Sequence, residues 1–490
     1  MHEIELKFQV PPERRAAVDA AVGGREMEAR ARLQAAYFDT ADRALAQAGL
    51  ALRIRREGRR WVQTLKGEGE DRLTRAEHEV VLPADTRADA VPDPALHAGT
   101  PVGERLRELL DAPLVCVFRT DVRRRSRRVR VREGVIELAF DEGAIVAGER
   151  RLPLCELEIE LVSGSPRAVI ATARRWVLRH QLWLDLRSKA ERGHLLASGQ
   201  TMAPVAKAGD VDLADAMAPA QGRRAVLLSC LQQIGANGSQ VASGTYGDEH
   251  VHQLRVGLRR LRTALRLFRD TVPPDDVALQ AAVLFRRLGA ARDRAAVAAP
   301  LERDLTLALG AAGLAFAAPR LPAVGAEAEP GALMRLGPAQ SLLLDLFEQT
   351  LEPASVTLPD DGSLHELLAH QVNRWHRRVH ADAKRFDELD ETARHTLRKR
   401  AKSLRYGIEF GAGLFKRREV ERYLKLLRGL QDRLGALVDV SVALQAYRSR
   451  SEGDPHVLFA LGWLAARQRE LLGDCAPTMK KFMQAKRFWR

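Results

Sequence analysis

The 490-residue chain contains little cysteine and no long apolar stretch. Its four cysteines are scattered, without the spacing of a metal-binding motif or of a disulfide framework, and this indicates reduced thiols in a cytosolic protein. No run of about 18 apolar residues occurs, so we expect no membrane-spanning helix. Glu3 and Glu5 stand where a secretory signal would carry basic and then apolar residues. We therefore expect no signal peptide and a cytoplasmic location.

Aromatic residues are also few, at 5% of the chain, whereas basic residues are in excess. The formal net charge of +14 favours a polyanionic partner, which can be nucleic acid, an anionic membrane surface or polyphosphate. Few aromatic side chains are interleaved with the basic residues and no base-reading motif is present, so nucleic acid ranks low among these partners. The length predicts two or three domains rather than one core.

In the first 195 residues, short stretches of alternating apolar and charged residues predict β-strands. The predicted strands cover residues 4–8, 50–56, 61–66, 77–82, 115–122, 135–140 and 156–162. Helices are predicted near residues 12–22 and 166–179, and turns are predicted at residues 57–58 and 141–143. The polar positions are glutamate, arginine or lysine on strand after strand. This pattern suits a closed sheet with a charged interior.

The remainder of the chain has a helical period and follows a stretch at residues 199–220 that we interpret as a linker. His252 is followed by basic residues at positions +3, +7 and +10, and His395 repeats this spacing 143 residues later. Such a repeat predicts two tandem helical units.

Two further features belong to this helical half. Leu288-Gly289 is echoed by Leu434-Gly435, 146 residues later, and this supports the repeat. Residues 298–337 contain four prolines, and we interpret them as a loop with at most one short helix.

Charged residues at alternate positions of the predicted strands share one face and form a candidate phosphate site. Glu3, Glu5 and Lys7 alternate on the first strand, where carboxylates can hold a hard divalent cation and lysine can contact phosphate. Other strands supply Arg53, Arg55, Lys66, Arg75, Glu77, Glu79, Arg119, Arg124, Glu137, Asp141, Glu156, Glu158 and Glu160. So many charges inside a closed sheet need a bound metal and a polyanion to pair with. The pattern predicts metal-assisted phosphoryl transfer.

The motifs of residues 2–195 resemble the CYTH family, the triphosphate tunnel metalloenzymes. The matching motifs are Glu3-x-Glu5-x-Lys7, Tyr37-Phe38-Asp39-Thr40, Leu52-Arg53-Ile54-Arg55, Thr64-Leu65-Lys66, Arg75-x-Glu77-x-Glu79, Glu156-Leu157-Glu158-x-Glu160 and Ser188-Lys189-x-x-Arg192-Gly193. The resemblance implies an eight-stranded antiparallel tunnel that is closed over a triphosphate.

The resemblance also implies roles for the motif residues. Those implied to hold phosphate oxygens are Lys7, Arg53, Arg55, Lys66, Arg75, Arg119, Arg124 and Lys189. Those implied to hold one or two ions of Mg²⁺ or Mn²⁺ and to position the attacking water are Glu3, Glu5, Glu156, Glu158 and Glu160. Among them, Glu5, Lys66 and Glu158 are expected to be catalytic. In the arginine-rich strand the alternation leaves the inward face open, and Arg119 and Arg124 are favoured over Arg123 and Arg125.

The helical half resembles the CHAD domain, a duplicated α-helical module associated with binding inorganic polyphosphate. The matching blocks are His252-Gln253-Leu254-Arg255-Val256 with Arg259-Arg260-Leu261-Arg262, Leu288-Gly289 with Arg292-Asp293, and His395-x-x-Arg398-Lys399-x-x-Lys402-x-Leu404-Arg405-Tyr406. On helices the basic residues of each copy form one stripe. The stripe residues expected to bind polyphosphate are His252, Arg255, Arg259, Arg262, His395, Arg398, Lys402 and Arg405.

We therefore expect an α+β multidomain chain. It comprises a CYTH tunnel domain at residues 1–198, a linker at 199–220 and an all-α duplicated CHAD domain at 221–488, with a variable insertion near 298–337. The expected function is metal-dependent hydrolysis of inorganic triphosphate, with polyphosphate bound by the helices and polyphosphate granules as a location. The alternatives are a non-catalytic polyphosphate-binding protein that targets granules and, within the family, an adenylyl cyclase or a thiamine triphosphatase.

Overall fold

The computed structural model of the chain describes residues 2–24, 28–68, 74–269, 276–315, 317–321, 328–351, 363–448 and 454–489. An antiparallel sheet is followed by helices, which confirms the predicted α+β class. These residues divide into two compact units. The first comprises Met1–Lys207, Leu231–Leu254 and Glu329–Glu352, and the second comprises Ala208–Cys230, Arg255–Ala328 and Pro353–Arg490. Because both units are discontinuous in sequence, the predicted domain limits stay predictions.

The described part of the first unit contains nine antiparallel strands in one sheet. They are β1 (His2–Gln9), β2 (Glu28–Asp39), β3 (Leu50–Glu57), β4 (Arg60–Glu68), β5 (Thr74–Val81), β6 (Val115–Val131), β7 (Gly134–Ala147), β8 (Arg150–Gly164) and β9 (Trp183–Leu184). The order β5-β4-β3-β2-β6-β7-β8-β1 is closed because β1 also pairs with β5. Eight strands thus form a closed tunnel, and the two residues of β9 are added to it through β1.

The helices of the structure follow the same chain order. They are α1 (Arg15–Val22), α2 (Ala44–Gln47), α3 (Pro101–Leu109), α4 (Arg167–His180), α5 (Lys189–Ala197), α6 (Pro219–Ala242), α7 (Asp248–Leu267), α8 (Val277–Arg287), α9 (Ala290–Ala311), α10 (Pro330–Arg335), α11 (Gly337–Leu351), α12 (Leu364–Lys384), α13 (Glu391–Phe410), α14 (Arg417–Arg448) and α15 (Pro455–Met483). Among the described residues, no helix is both long enough and apolar enough to cross a membrane.

Strict alternation in β8 gives the sheet two different buried faces. Leu157 and Ile159 have no exposed surface, and α4 packs against β8 and β7. Glu156 and Glu158 project to the opposite face, because neighbouring residues of a strand point in opposite directions. The carboxylates therefore point into the closed sheet.

The turns and strands differ from the sequence prediction at two places. Residues 141–143 lie inside β7, so the predicted turn is wrong there. A Cβ atom on Gly143 would lie 2.0 Å from the carbonyl oxygen of Asp121 in β6, so this glycine permits close approach of two strands. The strand β2 is absent from the predicted set, because much of its sequence alternates alanine with arginine, and alanine has low strand propensity.

The helical segment α11 belongs to the first unit, where it packs against α4. Arg174 of α4 forms ion pairs with Asp345 and Glu348 of α11. The backbone N–H of Leu184 donates to Oε1 of Gln340 at 2.7 Å. One segment from the helical half of the sequence is therefore part of the same compact body as the sheet.

Residues 298–337, where the structure describes them, are more helical than predicted. Helix α9 continues to residue 311, and α10 begins at Pro330. Alanine and leucine sustain α9 through Pro300, since both are strong helix formers. Leu301 and Leu305 also join an apolar core with Tyr447 of α14. The burial of Leu301 and Leu305 stabilises α9, although the proline content of this segment disfavours a helix.

The predicted sequence repeat corresponds to two matching helices. Both α7 and α13 are 20 residues long. Helix α13 begins 143 positions after the start of α7 and ends 143 positions after its end. Leu254 and Leu258 of α7 are fully buried, as are Leu397 and Leu404 of α13. Each copy thus buries an apolar stripe beside its basic one.

Candidate functional site

A cavity of about 640 Å³ lies within the first unit and is lined by the closed sheet and α5. Its charged lining residues are Glu5, Lys7, Arg43, Arg53, Arg55, Lys66, Glu77, Glu79, Arg124, Glu158, Glu160, Lys189 and Glu191. Both signs of charge are present in one cavity, which suits an anionic ligand bound together with a cation.

The pairing register brings distant positions of the chain together. Lys7 of β1 lies opposite Glu158 of β8. Asp141 of β7 lies opposite Glu156 of β8 on one side and opposite Arg124 of β6 on the other. Directly opposed residues project to the same face of an antiparallel sheet. Four strands therefore supply one continuous charged surface.

Asp141, Glu156 and Glu158 form a buried acidic cluster, with carboxylate oxygens within 4.8 Å of one another. Asp141 and Glu156 have no exposed surface, and Glu158 is 8% exposed. Charged carboxylates at this depth require cations nearby. The sequence prediction includes Glu156 and Glu158 among the metal ligands but omits Asp141. Asp141 follows Glu137 by four positions in β7, so the two side chains share one face of the strand. This spacing is the sequence signal that could have assigned Asp141 to the charged face.

The ammonium group of Lys189 lies between these three carboxylates. Its Nζ atom is 2.7 Å from Asp141, 2.5 Å from Glu156 and 2.8 Å from Glu158. Lys189 is the first residue of α5, and a capping box at Ser188 fixes the start of this helix. The capping box therefore determines where the ammonium group meets the cluster.

Two arginines complete the surroundings of the acidic cluster. Nε and Nη2 of Arg124 each donate to one oxygen of Asp141 at 2.7 Å, and Arg124 also pairs with Glu158. Arg192, one turn further along α5, pairs with Glu156. Arg192 is absent from the predicted site, although it stands in the motif that begins at residue 188. The two-pronged contact of Arg124 fixes the orientation of the Asp141 carboxylate.

These contacts keep Glu156 and Glu158 ionised at neutral pH by lowering the pKa of each carboxyl group. Burial opposes the charge on Glu156, but Arg192 and Lys189 outweigh it and lower its pKa to about 2. Burial also opposes the charge on Glu158, yet Lys189 and Arg124 hold its pKa well below the usual range. For Lys189, the carboxylates outweigh desolvation and raise its pKa. Glu156, Glu158 and Lys189 are therefore charged together.

A second group of cations lies on β3 and β4. Nζ of Lys66 is 3.0 Å from Glu77, and Arg53 is 3.8 Å from the same carboxylate. Arg55 is 3.3 Å from Glu79. Burial and the neighbouring charge of Arg53 both lower the pKa of Arg55. Two crowded guanidinium groups in a cavity are stabilised by an anion placed between them.

Tyr37 of β2 connects these cations to α5. Nη1 of Arg53 donates to the Tyr37 hydroxyl at 3.3 Å. The Tyr37 ring stacks on Phe118 with 4.5 Å between centroids. A Cβ atom on Gly193 of α5 would lie 2.2 Å from the Phe118 ring. Close packing of α5 therefore depends on this glycine and supports Tyr37 through Phe118.

Strand β1 carries three predicted site residues, and the structure describes the side-chain surroundings of two of them, Glu5 and Lys7. Glu5 is 2.5 Å from Lys7 and lies opposite Glu160 in the register of β1 and β8. Glu3 lies opposite Arg75 in the pairing of β1 and β5. The side chains of Glu3 and Arg75 lie outside the described part of the structure. Glu5 and Glu160 thus add two carboxylates to the cavity wall.

In the arginine-rich strand β6, only one of the two favoured arginines lines the cavity. Arg119 and Arg124 are five positions apart, and an odd spacing on a strand directs two side chains to opposite faces. Arg124 lines the cavity. Arg119 is exposed and donates to the carbonyl oxygen of Ala88 at 3.4 Å. The structure therefore does not bring Arg119 to the candidate site.

The predicted basic stripes lie on α7 and α13. His252 and His395, which begin the two stripes, are half-buried. Arg255 is 6% exposed, and its guanidinium lies 4.9 Å from the centre of the Phe285 ring. Arg259 lies 5.6 Å from the centre of the same ring. The first stripe is therefore partly packed against α8.

Within the second unit, the two helices meet along their basic residues. Nη2 of Arg266 donates to the Ser403 hydroxyl at 2.8 Å. Burial, together with the charges of Arg259 and Arg398, lowers the pKa of Lys402 to about 7. Burial makes the largest contribution to this lowered pKa, and the part that comes from the neighbouring positive charges is one that an anion would relieve. We refer to Arg259, Arg262, Arg266, Arg398, Lys402 and Arg405 as the basic cluster.

Acidic residues contact part of the basic cluster. Arg398 is 3.6 Å from Asp439 of α14, and Arg405 is 3.7 Å from Glu409. Burial and a neighbouring arginine of α8 both lower the pKa of Arg262. The cluster thus retains a net positive charge despite these two pairs.

Comparison with known proteins relates the two parts of the chain to two families. Residues 1–194 match the CYTH domain and residues 225–448 match the CHAD domain. An inorganic triphosphatase of Haemophilus influenzae is 32% identical over 170 residues, which are 34% of this chain and 46% of the relative. The chain thus matches about half the length of that curated relative.

Two solved structures are similar over single parts of the chain. The CHAD domain from the plant Ricinus communis is 28% identical and covers 57% of this chain and 96% of that one, with a TM-score of 0.46. A putative adenylyl cyclase from Hippeastrum, described as having a dominant triphosphatase activity, is 22% identical. It covers 41% of this chain and 97% of its own, with a TM-score of 0.31.

Proposed function

Because the chain joins a CYTH domain to a CHAD domain, we propose that its closed sheet hydrolyses inorganic triphosphate with the help of Mg²⁺ or Mn²⁺. The observation that supports this most directly is one cavity lined both by the cations of β3 and β4 and by a buried carboxylate of the acidic cluster. Phosphoryl transfer requires this combination, since phosphate oxygens need positive charge and a metal needs carboxylates.

The cations of the cavity would bind the phosphate chain. Arg53 and Arg55 can each present two parallel N–H donors to phosphate oxygens, and Lys66 and Lys7 add point charges. In the free protein these groups contact the carboxylates described above, so triphosphate binding exchanges one set of oxygen partners for another. Such an exchange keeps the buried cations paired before and after binding.

The acidic cluster fits a hard divalent cation. Asp141, Glu156 and Glu158 supply oxygen donors within 4.8 Å of one another, and Mg²⁺ and Mn²⁺ prefer such donors. Glu5 and Glu160 line the cavity together with Glu158 of the cluster and add two further carboxylates. When bound, the metal would supply positive charge to the phosphate oxygens.

In the proposed reaction, water attacks the terminal phosphorus of triphosphate. The phosphoanhydride bond breaks, and the products are orthophosphate, pyrophosphate and a proton that passes to solvent. Glu158 orients the water by accepting a hydrogen bond from it. Its lowered pKa makes it a weak proton acceptor, so orientation rather than proton abstraction is its role. Lys66 stabilises the charge that develops on the departing pyrophosphate.

Phosphate release from inorganic triphosphate by the purified chain, with Mg²⁺ and with Mn²⁺, tests this proposal. Glu5→Gln and Lys66→Ala should each lower the rate by at least about 100-fold, which is the effect of removing one charge-stabilising group from the active site of other enzymes. Glu108→Gln, on the exposed side of α3, is the matched control and should leave the rate unchanged. Normal turnover in both cavity variants would refute the assignment. ATP and thiamine triphosphate in the same assay separate this activity from the two alternatives within the family.

We further propose that the basic cluster binds inorganic polyphosphate, which would also direct the chain to polyphosphate granules. The supporting observation is the proximity of Lys402 to Arg259 and Arg398, which penalises the charge on Lys402. A polyanion along both helices would relieve this repulsion and release counterions.

The binding of long-chain polyphosphate, measured by calorimetry at two salt concentrations, tests the second proposal. The double variant Arg259→Gln, Lys402→Gln should bind at least about tenfold more weakly and with a smaller salt dependence. Lys480→Gln with Lys481→Gln removes the same charge from the exposed side of α15 and serves as the control. Equal affinity of the two double variants would contradict the proposal.

A further inference from the structure

Two glycines at equivalent positions of the helical repeat lie against equivalent arginines. A Cβ atom on Gly289 would lie 2.7 Å from Nη2 of Arg255. A Cβ atom on Gly435 would lie 3.3 Å from Nη2 of Arg398. Arg255 and Arg398 each follow the first histidine of their stripe by three positions. The same contact therefore occurs in both copies of the repeat.

The backbone conformation does not explain why glycine stands at these positions. Gly289 has a φ of −108°, which any residue can adopt. Gly435 lies in the interior of α14 and has no positive φ. A glycine inside a helix is less favourable than alanine, because it loses more conformational freedom on folding. At position 435, inside a helix, the missing side chain must therefore matter for the space that it leaves.

The surroundings of the two glycines differ in everything except the arginine. Gly289 separates α8 from α9, whereas α14 continues without interruption through Gly435. The guanidinium of Arg255 lies over the Phe285 ring, whereas that of Arg398 lies 3.6 Å from Asp439. The shared feature is thus a guanidinium that rests against the backbone of a glycine.

We propose that Gly289 and Gly435 are positioning residues, which seat the guanidinium groups of Arg255 and Arg398 in the orientation that binds polyphosphate. This inference rests on the proposed polyphosphate binding. A guanidinium is a planar fork, and it contacts two phosphate oxygens at once only when its plane is correctly directed. A seat that holds the plane before binding reduces the conformational freedom lost when the ligand binds.

At Gly435 only the end of a flexible arginine side chain is close, so alanine can be accommodated by moving the guanidinium. At Gly289 the added Cβ atom would also lie 3.0 Å from the carbonyl oxygen of Phe285, so the backbone there must shift slightly as well. We expect Gly289→Ala combined with Gly435→Ala to weaken long-chain polyphosphate binding about tenfold, the effect of one lost charge-assisted hydrogen bond. The control combines Gly310→Ala in α9 with Gly429→Ala in α14, since a Cβ atom on either glycine would meet nothing within 4 Å. This control should bind within about twofold of the unaltered chain, a difference well below one hydrogen bond.

Two further variants keep the result interpretable. Gly289 is also the N-cap of α9, where alanine is disfavoured, so Gly289→Ser adds a Cβ atom while preserving capping. Gly435→Ala carries the test alone if substitutions at position 289 lower the melting temperature. Arg398→Gln removes one seated guanidinium altogether and should weaken binding at least as much as Gly435→Ala.

The outcomes separate this inference from the proposal on which it rests. We call the substitutions at Gly289 and Gly435 the seat variants. Weaker polyphosphate binding by the seat variants, with unchanged binding by the control at Gly310 and Gly429, supports the inference. Unchanged binding in the seat variants, while Arg398→Gln binds weakly, overturns the inference and leaves polyphosphate binding intact. An unaltered chain without affinity for polyphosphate overturns both.

Discussion

Lys189→Met should destabilise the first unit, because it removes the ammonium group from between three buried carboxylates. Methionine nearly preserves the length of the side chain and removes its charge. The loss of one partner from a buried ion pair costs about 3–5 kcal/mol. For a body of this size, that corresponds to a melting temperature lower by about 10 °C. Lys207→Met, at an exposed position of the same unit, is the matched control.

The effect should depend on pH in a defined direction. The pKa of Glu156 is lowered from 4.5 to about 2, so its ionised form stabilises the fold above pH 4.5, and this contribution is lost as the pH falls towards 2. Without Lys189, the pKa of Glu156 moves back towards its ordinary value. The melting temperatures of the variant and the unaltered chain should therefore converge as the pH falls from 4.5 towards 2.

Divalent metal provides the decisive comparison, since a cation at the acidic cluster would take the place of the ammonium group. Melting is followed by circular dichroism in chelator and in excess Mg²⁺. We expect Mg²⁺ to raise the melting temperature of Lys189→Met more than that of the unaltered chain. A variant that melts at the unaltered temperature in chelator would refute the charge argument. Equal stabilisation by Mg²⁺ in both proteins would show that metal and Lys189 do not compete.

Three further predictions concern single residues. Arg124→Ala should lower phosphate release from triphosphate by about 100-fold, whereas Arg119→Ala, on the other face of the same strand, should change it less than about twofold; steady-state rates decide between them. Lys402 loses its proton near pH 7, so polyphosphate affinity should fall between pH 6 and pH 9 in the unaltered chain and remain nearly constant in Lys402→Arg, as measured by calorimetry. Gly193→Ala should lower the free energy of unfolding by about 1–3 kcal/mol in urea titration, because its Cβ atom would overlap the Phe118 ring; a more stable variant, as helix propensity alone predicts, would contradict the packing argument.

Most strands of the closed sheet were predictable because they carry regular alternation of apolar and charged residues, whereas β2 was not. Glu156 and Glu158 share a face by spacing alone, and the structure places them together. Asp141 is harder to assign, because a glycine two residues later indicates a turn. That glycine serves close strand packing instead, which depends on the neighbouring strand and leaves no local signal.

Other parts of the site depend on contacts across the chain. The odd spacing of Arg119 and Arg124 places them on opposite faces of β6, but which face points inward is set by the pairing of β6 with β2 and β7. The position of Lys189 depends on where α5 begins, which the capping residue Ser188 determines. The ion pairs between β8 and α5 therefore follow from the structure, although each residue stands in a motif that the sequence displays.

The membership of α11 in the first unit has a consequence for experiments with fragments. A fragment that ends at residue 198 would contain the whole region that matches the CYTH domain. It would, however, lack the residues of α11 that contact Arg174 and the backbone N–H of Leu184. Such a fragment would expose the side of α4 that α11 covers and would be prone to self-association. Low activity of such a fragment would then reflect the lost packing of α11 against α4 rather than a missing catalytic group. Kinetic measurements should therefore use the full chain.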